Sequence, residues 1–142
     1  HLNDILADDG KTRSKTLPHI GKNKAWPVLV KTLKHFITHL HSSSISYVQN
    51  VSRNGLIQSM IAKGGTPRLL DQILMIQSDH QSFALDLMQV DSVWVTAVGP
   101  FHQLEMYAAD GCAIAVFGAD PKGDVRQWNA LLCSLPQLAR AF

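Results

Sequence analysis

The stretch SVWVTAVGPFHQLEMYAADGCAIAVFG, residues 92–118, decides the fold because three strand patterns follow one another in it. Two runs with alternating side chains, 93–98 and 103–108, are separated by a Gly-Pro pair that interrupts a strand. Asp110-Gly111 follows, a dipeptide typical of tight hairpin turns because it accepts positive φ angles, and residues 112–117 form another apolar run. The stretch predicts consecutive antiparallel strands.

A sheet of this kind needs a cover on its apolar face, and residues 124–135 provide one. Apolar side chains recur there at helical spacing, and Trp128 is the largest of them. The stripe consists of Val125, Trp128, Leu131, Leu132 and Leu135. We expect this helix to pack on the sheet with Trp128 as its anchor.

Upstream of the sheet the sequence favours helices. Residues 1–17 predict a short helix, a turn and the start of a second helix capped by Thr12, which Pro18 ends. Residues 26–41 carry an apolar stripe at helical spacing and predict a longer helix.

Between this helix and the stretch 92–118, shorter strand patterns alternate with turns. Residues 45–51 and 56–62 predict a hairpin because Arg53-Asn54-Gly55 joins them, and 69–77 and 83–88 predict two further strands. The expected fold is α+β: a largely antiparallel sheet of about six or seven strands flanked by helices. We expect residues 1–142 to form a single domain, with a helical lead-in over 1–25 and the helix, sheet and C-terminal helix over 26–142.

Composition indicates an ordinary globular protein. Its 142 residues are 46% hydrophobic and 17% charged, and no apolar run is long enough for a membrane helix. A net charge of +2 gives no reason to expect a nucleic-acid partner, and we interpret the five basic residues within 11–24 as a solvated surface. Cys112 and Cys133 lack metal-site spacing and predict buried thiols in the cytoplasm.

The sequence lacks the usual catalytic and metal-binding motifs. His35 and His39 have the spacing of metal ligands, but they fall opposite the apolar stripe of their helix and no acidic residue accompanies them there. We therefore predict a solvated face and no metal site. A nucleophile elbow, an HExxH motif and a CxxC motif are all missing, so no catalytic residue is identified.

The string LEMYAADGCAIAVFGADPKG, followed closely by QWNALLCSLP, resembles the end of the bacterial haemin-degrading and haemin-transport family. Further segments resemble the same family in order: Ile5-Leu6 and Thr12-Arg13 near the start, and the hairpin ISYVQNVSRNGLIQ. The match at the end of the chain is carried by Leu104, Glu105, Asp110, Gly111, Ile114, Ala115, Phe117, Gly118, Pro121, Gly123, Trp128, Leu131, Leu132, Leu135 and Pro136. The resemblance implies one repeat, the C-terminal one, of a haem-utilisation fold.

The resemblance implies haem as the cofactor and directs attention to possible ligands. The axial-ligand candidates are His1, His80 and His102, with Tyr47 and Tyr107 behind them. Counting back from the Thr-Arg pair, the family's ligand position falls one residue before His1, so His1 fits if the helix has lost one residue.

The candidates for contacts to the haem propionates are Arg53, Lys63 and Arg68. Where family members carry a basic Arg-Lys-Pro series after Trp94-Val95, this chain has Thr96-Ala97-Val98-Gly99, so the expected propionate clamp is missing.

Two functions from different classes follow. The first is haem binding and trafficking in iron acquisition, and the alternative is a non-catalytic interaction or dimerisation domain that kept the fold and lost the haem pocket. Haem degradation is a third option that rests on the resemblance alone. Because a single repeat lacks its companion, we also expect a homodimer, and a segment upstream of His1 remains an open alternative.

Overall fold

The computed structural model describes residues 10–53, 56–63, 67–77, 82–97 and 99–138, and for residues 52, 53, 56 and 57 it describes the backbone alone. The described helices are α1 (Lys11–Ile20), α2 (Leu33–Ser42) and α3 (Val125–Cys133). The described strands are β1 (Ala25–Val28), β2 (Tyr47–Arg53), β3 (Leu56–Ala62), β4 (Arg68–Leu70), β5 (Ile73–Gln77), β6 (Ser82–Asp86), β7 (Ser92–Thr96), β8 (Gln103–Tyr107) and β9 (Ala113–Ala119).

These strands form two antiparallel sheets. The main sheet has the order β1-β7-β8-β9-β2-β3, and the small sheet has the order β4-β5-β6. The predicted α+β fold with a largely antiparallel sheet is confirmed. The stretch 92–118 supplies β7, β8 and β9, which lie next to one another inside the main sheet.

The turn between β8 and β9 uses the predicted Asp-Gly pair, but only the glycine has a positive φ. Gly111 has φ 88°, and its N–H donates to the carbonyl oxygen of Ala108 at 2.9 Å. The Asp110 carboxylate accepts from the N–H of Cys112 at 2.9 Å. This is a β-turn followed by a left-handed residue, a common three-residue hairpin connection.

The other strand predictions need refinement. The hairpin of β2 and β3 is confirmed, although its Asn54-Gly55 turn lies outside the described residues. The single strand predicted at 69–77 is instead two strands, β4 and β5, because the chain turns at Asp71, which has a φ of 55°. The strand predicted at 83–88 ends at Asp86, whose carboxylate accepts from Met88 N–H at 3.0 Å and caps a 3₁₀ turn.

The helix predicted at 26–41 is wrong in its first part. Trp26 and Pro27 lie in β1, an edge strand of the main sheet that pairs with β7, and α2 begins only at Leu33. Proline is tolerated on an edge strand because it lacks the N–H that a second neighbour would need. The hydrogen-bond partners of β1 lie far away in the sequence: they are β7 and Leu138, whose N–H donates to the Pro27 carbonyl at 2.9 Å. A local apolar pattern cannot reveal such partners.

The start of α1 also differs from the prediction. The helix begins after Gly10, which has φ 77°, so Thr12 lies inside the helix and is not its N-cap. Pro18 does not end the helix, which continues to Ile20 and stops before Gly21. The first part of the predicted lead-in, residues 1–9, lies outside the described residues.

The two faces of the main sheet differ in what covers them. On the face that we call the core face, α2, α3 and the small sheet pack on an apolar cluster. Trp128 of α3 is 1% exposed, its ring stacks on Tyr47 with centroids 5.9 Å apart, and its Nε1–H donates to the His102 carbonyl at 2.9 Å. The predictions for the last helix and its Trp128 anchor are confirmed.

The opposite face, which we call the α1 face, is covered by α1. Leu17 of α1 packs there against Ala25, Trp94 and Tyr107 in a separate, smaller cluster. Antiparallel partners point to the same side of a sheet, so the pairing of Ala25 with Thr96 places Thr96 on this face too.

The surface agrees only in part with the prediction. His35 and His39 are exposed on α2 as expected, and the described residues contain no cluster of metal-ligating side chains. Cys133 is exposed and Cys112 is half-buried, so the prediction of two buried thiols was wrong. Within the described part of the chain, no helix has the length and apolar character needed to cross a membrane.

Candidate functional site

A buried carboxylate lies at the centre of the α1 face. Glu105 of β8 has no exposed surface, and its two oxygens accept hydrogen bonds from three elements. Arg13 of α1 donates to both oxygens, from Nε at 3.2 Å and from Nη2 at 3.1 Å. Thr96 of β7 donates from Oγ1 at 2.7 Å, and Tyr107 donates from its hydroxyl at 2.5 Å. We call these four residues the Glu105 cluster.

The Glu105 cluster shifts the pKa values of Arg13 and Tyr107. Burial alone would lower the pKa of Arg13, but the hydrogen bonds and charge of Glu105 outweigh burial and raise it. Burial raises the pKa of Tyr107, and the neighbouring Glu105 charge raises it further. The arginine therefore stays charged and the tyrosine stays protonated as a donor. A carboxylate without solvent is stable only when its oxygens are satisfied in this way.

Two glycines bring the start of α1 against the β8–β9 turn. A Cβ on Gly10 would lie 2.7 Å from the Cβ of Ala113 and 2.9 Å from the Tyr107 ring. A Cβ on Gly111 would lie 2.9 Å from the Ser14 hydroxyl oxygen, and the positive φ of Gly111 disfavours other residues as well. The helix and the hairpin therefore approach more closely than larger residues would allow.

The Glu105 cluster was missed by the sequence reasoning. Arg13 belongs to a basic run that we interpreted as solvated, whereas its side chain is only 27% exposed and pairs with Glu105. One signal could have indicated the pair. Glu105 lies inside the strand run that the fold is built around, where both faces of the sheet need covers, and a carboxylate buried there requires a cation.

Of the three histidines predicted as haem ligands, only His102 lies among the described residues. It is half-buried and its ring meets Trp26 edge-on with centroids 6.4 Å apart. Its backbone N–H donates to Asn129 Oδ1 at 3.0 Å. Burial lowers the pKa of the His102 imidazole, and its buried Nδ1 has no hydrogen-bond partner. His1 and His80 lie outside the described residues.

The predicted propionate contacts are not brought together. Lys63 and Arg68 are exposed, and no described hydrogen bond or ion pair connects either of them to His102 or to the Glu105 cluster. The side chain of Arg53 lies outside the described part of the structure.

The two tyrosines considered as ligands are occupied inside the protein. Tyr47 is fully buried, its hydroxyl lies 2.7 Å from His41 Nε2, and burial raises its pKa. The hydroxyl of Tyr107 belongs to the Glu105 cluster. Neither hydroxyl is directed to solvent, so neither is available to a ligand that arrives from outside.

A cavity of about 270 Å³ lies on the core side, where β2 and β3 of the main sheet meet β6 of the small sheet. Apolar and polar side chains contribute to its wall, and none of them is charged. The lining residues are Gln49, Val51, Gln58, Ser59, Met60, Ser82 and Phe83. Both polar atoms of the Gln49 carboxamide are buried and have no hydrogen-bond partner.

Comparison of the fold with solved structures identifies its relatives. The chain superposes on PhuS, a haem-binding protein from Pseudomonas aeruginosa, with a TM-score of 0.83 over 97% of this chain and 42% of PhuS, at 18% identity. It superposes on the Escherichia coli O157:H7 haem-degrading enzyme ChuS with a TM-score of 0.78 over 87% of this chain and 39% of ChuS, at 18% identity. The chain has the fold of these haem-utilisation proteins. The haem-binding protein ChuX matches with a TM-score of 0.63 over 94% of this chain and 88% of ChuX, at 8% identity.

The fold expected from the resemblance is therefore confirmed. The chain spans 42% of the length of PhuS and 39% of the length of ChuS. No protein-family model matches the sequence, and no curated protein sequence matches it. Within this haem-utilisation fold, the ion pair of Arg13 with Glu105 joins the two segments, early and late in the chain, that carry the resemblance.

Proposed function

We propose that the chain binds haem and hands it on to a partner in a haem-trafficking role during iron acquisition, in the cytoplasm. The observation that carries the proposal is the superposition on PhuS, which covers 97% of this chain. The fold alone does not determine an activity, so the local structure must also support the proposal.

The α1 face is the place that we propose for haem. The resemblance puts the axial ligand at His1 or one residue before it, in the segment that leads to α1, and the propionate contacts at the end of β7. In the structure, α1 and β7 meet at the Glu105 cluster, where Arg13 and Thr96 both bind the same carboxylate. Arg13 and Thr96 lie more than 80 residues apart in the sequence and meet at one carboxylate, which supports a site shared between α1 and β7.

The residues of this face fit haem only in part. Trp94 and Tyr107 are aromatic but lie buried beneath α1, where they pack against the helix. His19 of α1 is exposed and is not among the predicted ligands, so we keep His1 as the proposed axial ligand, with His80 and His102 as alternatives. Thr96 and Ala97 stand where cations would hold the propionates. Because each charge-assisted contact contributes about 1.5 to 3 kcal/mol, losing two weakens binding by roughly two to four powers of ten.

A haemin titration followed by absorbance tests the proposal. We expect a sharp, saturable Soret band at one haem per chain that is lost in His1→Ala. His35→Ala is the matched control, because His35 is exposed on α2 and should leave the band unchanged. A band lost only in His80→Ala or His102→Ala would keep haem binding and refute the choice of ligand.

The alternative is an interaction domain that kept the fold and lost the haem pocket. The missing basic residues at Thr96 and Ala97 favour it. A diffuse spectrum that never saturates and that none of the histidine substitutions changes would refute haem binding and support this alternative. Degradation has no identified catalytic residue, and stable Soret absorbance of the complex under a reductant and oxygen would argue against it.

We further propose a homodimer that forms through the small sheet. Apolar side chains are exposed on this sheet, where Leu70 is 68% and Ile73 39% exposed, and in the 3₁₀ turn that follows β6, where Met88 is 73% exposed. Since the chain spans 42% of PhuS, a second copy could supply the surface that the rest of the longer protein provides.

Sedimentation analysis tests the homodimer. We expect a dimer that Leu70→Lys dissociates, while Ile61→Lys, at an exposed apolar residue of β3, leaves it intact. A wild-type monomer at high micromolar concentration would contradict the proposed association.

A further inference from the structure

The cavity between the two sheets contains an unusual polar group. Gln49 is only 2% exposed, and neither its Nε2 nor its Oε1 has a hydrogen-bond partner. Buried carboxamides are normally satisfied, because an unpaired donor or acceptor loses its hydration without compensation. The position of Gln49 therefore calls for a group that can receive one hydrogen bond and give another.

The strand register explains why the carboxamide is isolated. Tyr47, Gln49 and Val51 alternate onto the core side of β2, and the strand neighbours of Gln49 are Met60 on β3 and Phe117 on β9. Phe83 reaches over from the small sheet and meets Phe117 edge-on, with ring centroids 6.2 Å apart. The described side chains that surround the Gln49 carboxamide on this side of the sheet are therefore apolar, and they offer it no hydrogen-bond partner.

The other polar residues of the lining do not have buried, unpaired side-chain atoms. The Ser59 hydroxyl donates to Asn50 Oδ1, which lies on the opposite side of the strand from Gln49. Gln58 and Ser82 are exposed and lie at the rim, where solvent satisfies them. Among the described lining residues, Gln49 is thus the one whose polar side-chain atoms are both buried and unpaired.

We propose that this cavity binds a small neutral molecule that carries an amide or lactam group on an apolar ring. An amide with an N–H and a C=O on the same side matches a carboxamide through two antiparallel hydrogen bonds, while the ring contacts Met60, Val51 and Phe83. The volume of about 270 Å³ exceeds what one water molecule needs, roughly 10 to 15 Å³, and it lies just below the roughly 300 Å³ at which ordinary ligand pockets begin.

The proposed lactam site is separate from the haem proposal. Among the described lining residues there is no histidine, tyrosine or cysteine that could bind iron, and there is no cation for a propionate. It also lies on the core side of the main sheet, whereas the Glu105 cluster lies on the α1 face. Its occupancy can therefore be tested with the haem-free protein.

Caprolactam is a suitable probe, because it is a neutral ring with one N–H and one C=O held on the same side. We expect saturable shifts of the Gln49 side-chain NH₂ resonances and of the Met60 methyl resonance in NMR titrations. N-methylcaprolactam lacks the N–H donor, and cycloheptanone keeps a carbonyl but lacks the amide nitrogen. Each should therefore bind at least fivefold more weakly than caprolactam. Equal affinity for all three probes, or no saturable shift with caprolactam, would overturn the proposal.

A matched pair of variants locates the effect at the carboxamide. Gln49→Met keeps the length of the side chain and removes its polar atoms, so it should abolish the preference for caprolactam over N-methylcaprolactam. Gln58→Met makes the same change at the exposed rim and should preserve that preference at wild-type strength. Should Gln49→Met retain the preference, the site would lie elsewhere. If the Gln49 side-chain protons of the wild type exchange with water and their chemical shifts do not change with caprolactam, the cavity is a hydration site and the proposal is wrong.

Discussion

The two faces of the main sheet are stabilised by different kinds of interaction. On the core face, aromatic and aliphatic side chains pack around Trp128, and the polar contacts described for its stack with Tyr47 are single hydrogen bonds, from Trp128 to the His102 carbonyl and between Tyr47 and His41. On the α1 face, a buried carboxylate is bound by an arginine, a threonine and a tyrosine. The core face has many interchangeable apolar contacts, whereas the α1 face has a few contacts that depend on one another.

This difference bears on stability and on positioning. Apolar packing stabilises in proportion to buried area and tolerates changes in direction, whereas a bidentate ion pair fixes the orientation of both partners. The Glu105 cluster should therefore hold α1 at a defined place beside β7. Such fixation would suit the proposed haem site, because the proposed ligand His1 lies in the segment that leads into α1 and the proposed propionate contacts lie at the end of β7.

The largest effect is expected on the core face. Trp128→Ala removes a side chain that is 1% exposed, together with its hydrogen bond to the His102 carbonyl, and should lower the free energy of unfolding by about 3 to 5 kcal/mol. Urea denaturation measures it. Phe101→Ala is the control, since Phe101 is 48% exposed and its loss should change stability by no more than about 0.5 kcal/mol. Equal effects of both substitutions would contradict the described core.

Removal of one charge on the α1 face should lower the free energy of unfolding by a comparable amount. Arg13→Met removes the cation that pairs with Glu105 and should cost about 3 kcal/mol, because the carboxylate stays buried. Lys15→Met, on the same helix at an exposed position, should cost no more than about 0.5 kcal/mol. If the two variants unfold at the same urea concentration, the ion pair does not hold the helix.

One substitution made on both faces compares them directly. Tyr107→Phe removes a hydrogen bond to a charged carboxylate and should cost about 1.5 to 3 kcal/mol. Tyr47→Phe removes a hydrogen bond to His41 and should cost about 0.5 to 1.5 kcal/mol. Both rings stay in place, so thermal denaturation of the two variants compares the hydrogen bonds alone. A larger loss at Tyr47 would reverse our description of the two faces.

The smallest expected effect is the contribution of His102 to the pH dependence of stability. Burial lowers the pKa of His102 in the folded protein, whereas an unfolded histidine has a pKa of about 6.5. Below that pH the unfolded state binds more protons, so His102 should make the protein less stable as the pH falls from about 6.5 toward the folded pKa. His102→Gln should flatten stability against pH in this window, and His39→Gln, at an exposed site, should not. Parallel pH profiles for wild type and His102→Gln would contradict the prediction.

The sequence allowed the central strands and the last helix to be predicted, because alternation and helical spacing are local patterns. It misplaced Trp26 because an edge strand and a helix start can share one apolar pattern, and the partner strand β7 lies far along the chain. The Glu105 cluster was not predicted from the sequence for a similar reason. Arg13 and Glu105 are 92 residues apart, and each has an ordinary local context. Gln49 could not be singled out either, since its isolation depends on the packing of two sheets.

The most direct test of the account is the location of bound haem. Gallium protoporphyrin, a diamagnetic analogue of haem, can be titrated into isotope-labelled protein while backbone amide resonances are followed. We predict saturable shifts that cluster on α1 (Lys11–Ile20), β7 and the Glu105 cluster, with little change at Gln49 or Phe83. Shifts that cluster around the cavity between the sheets, or that spread over the surface without saturation, would contradict haem binding on the α1 face.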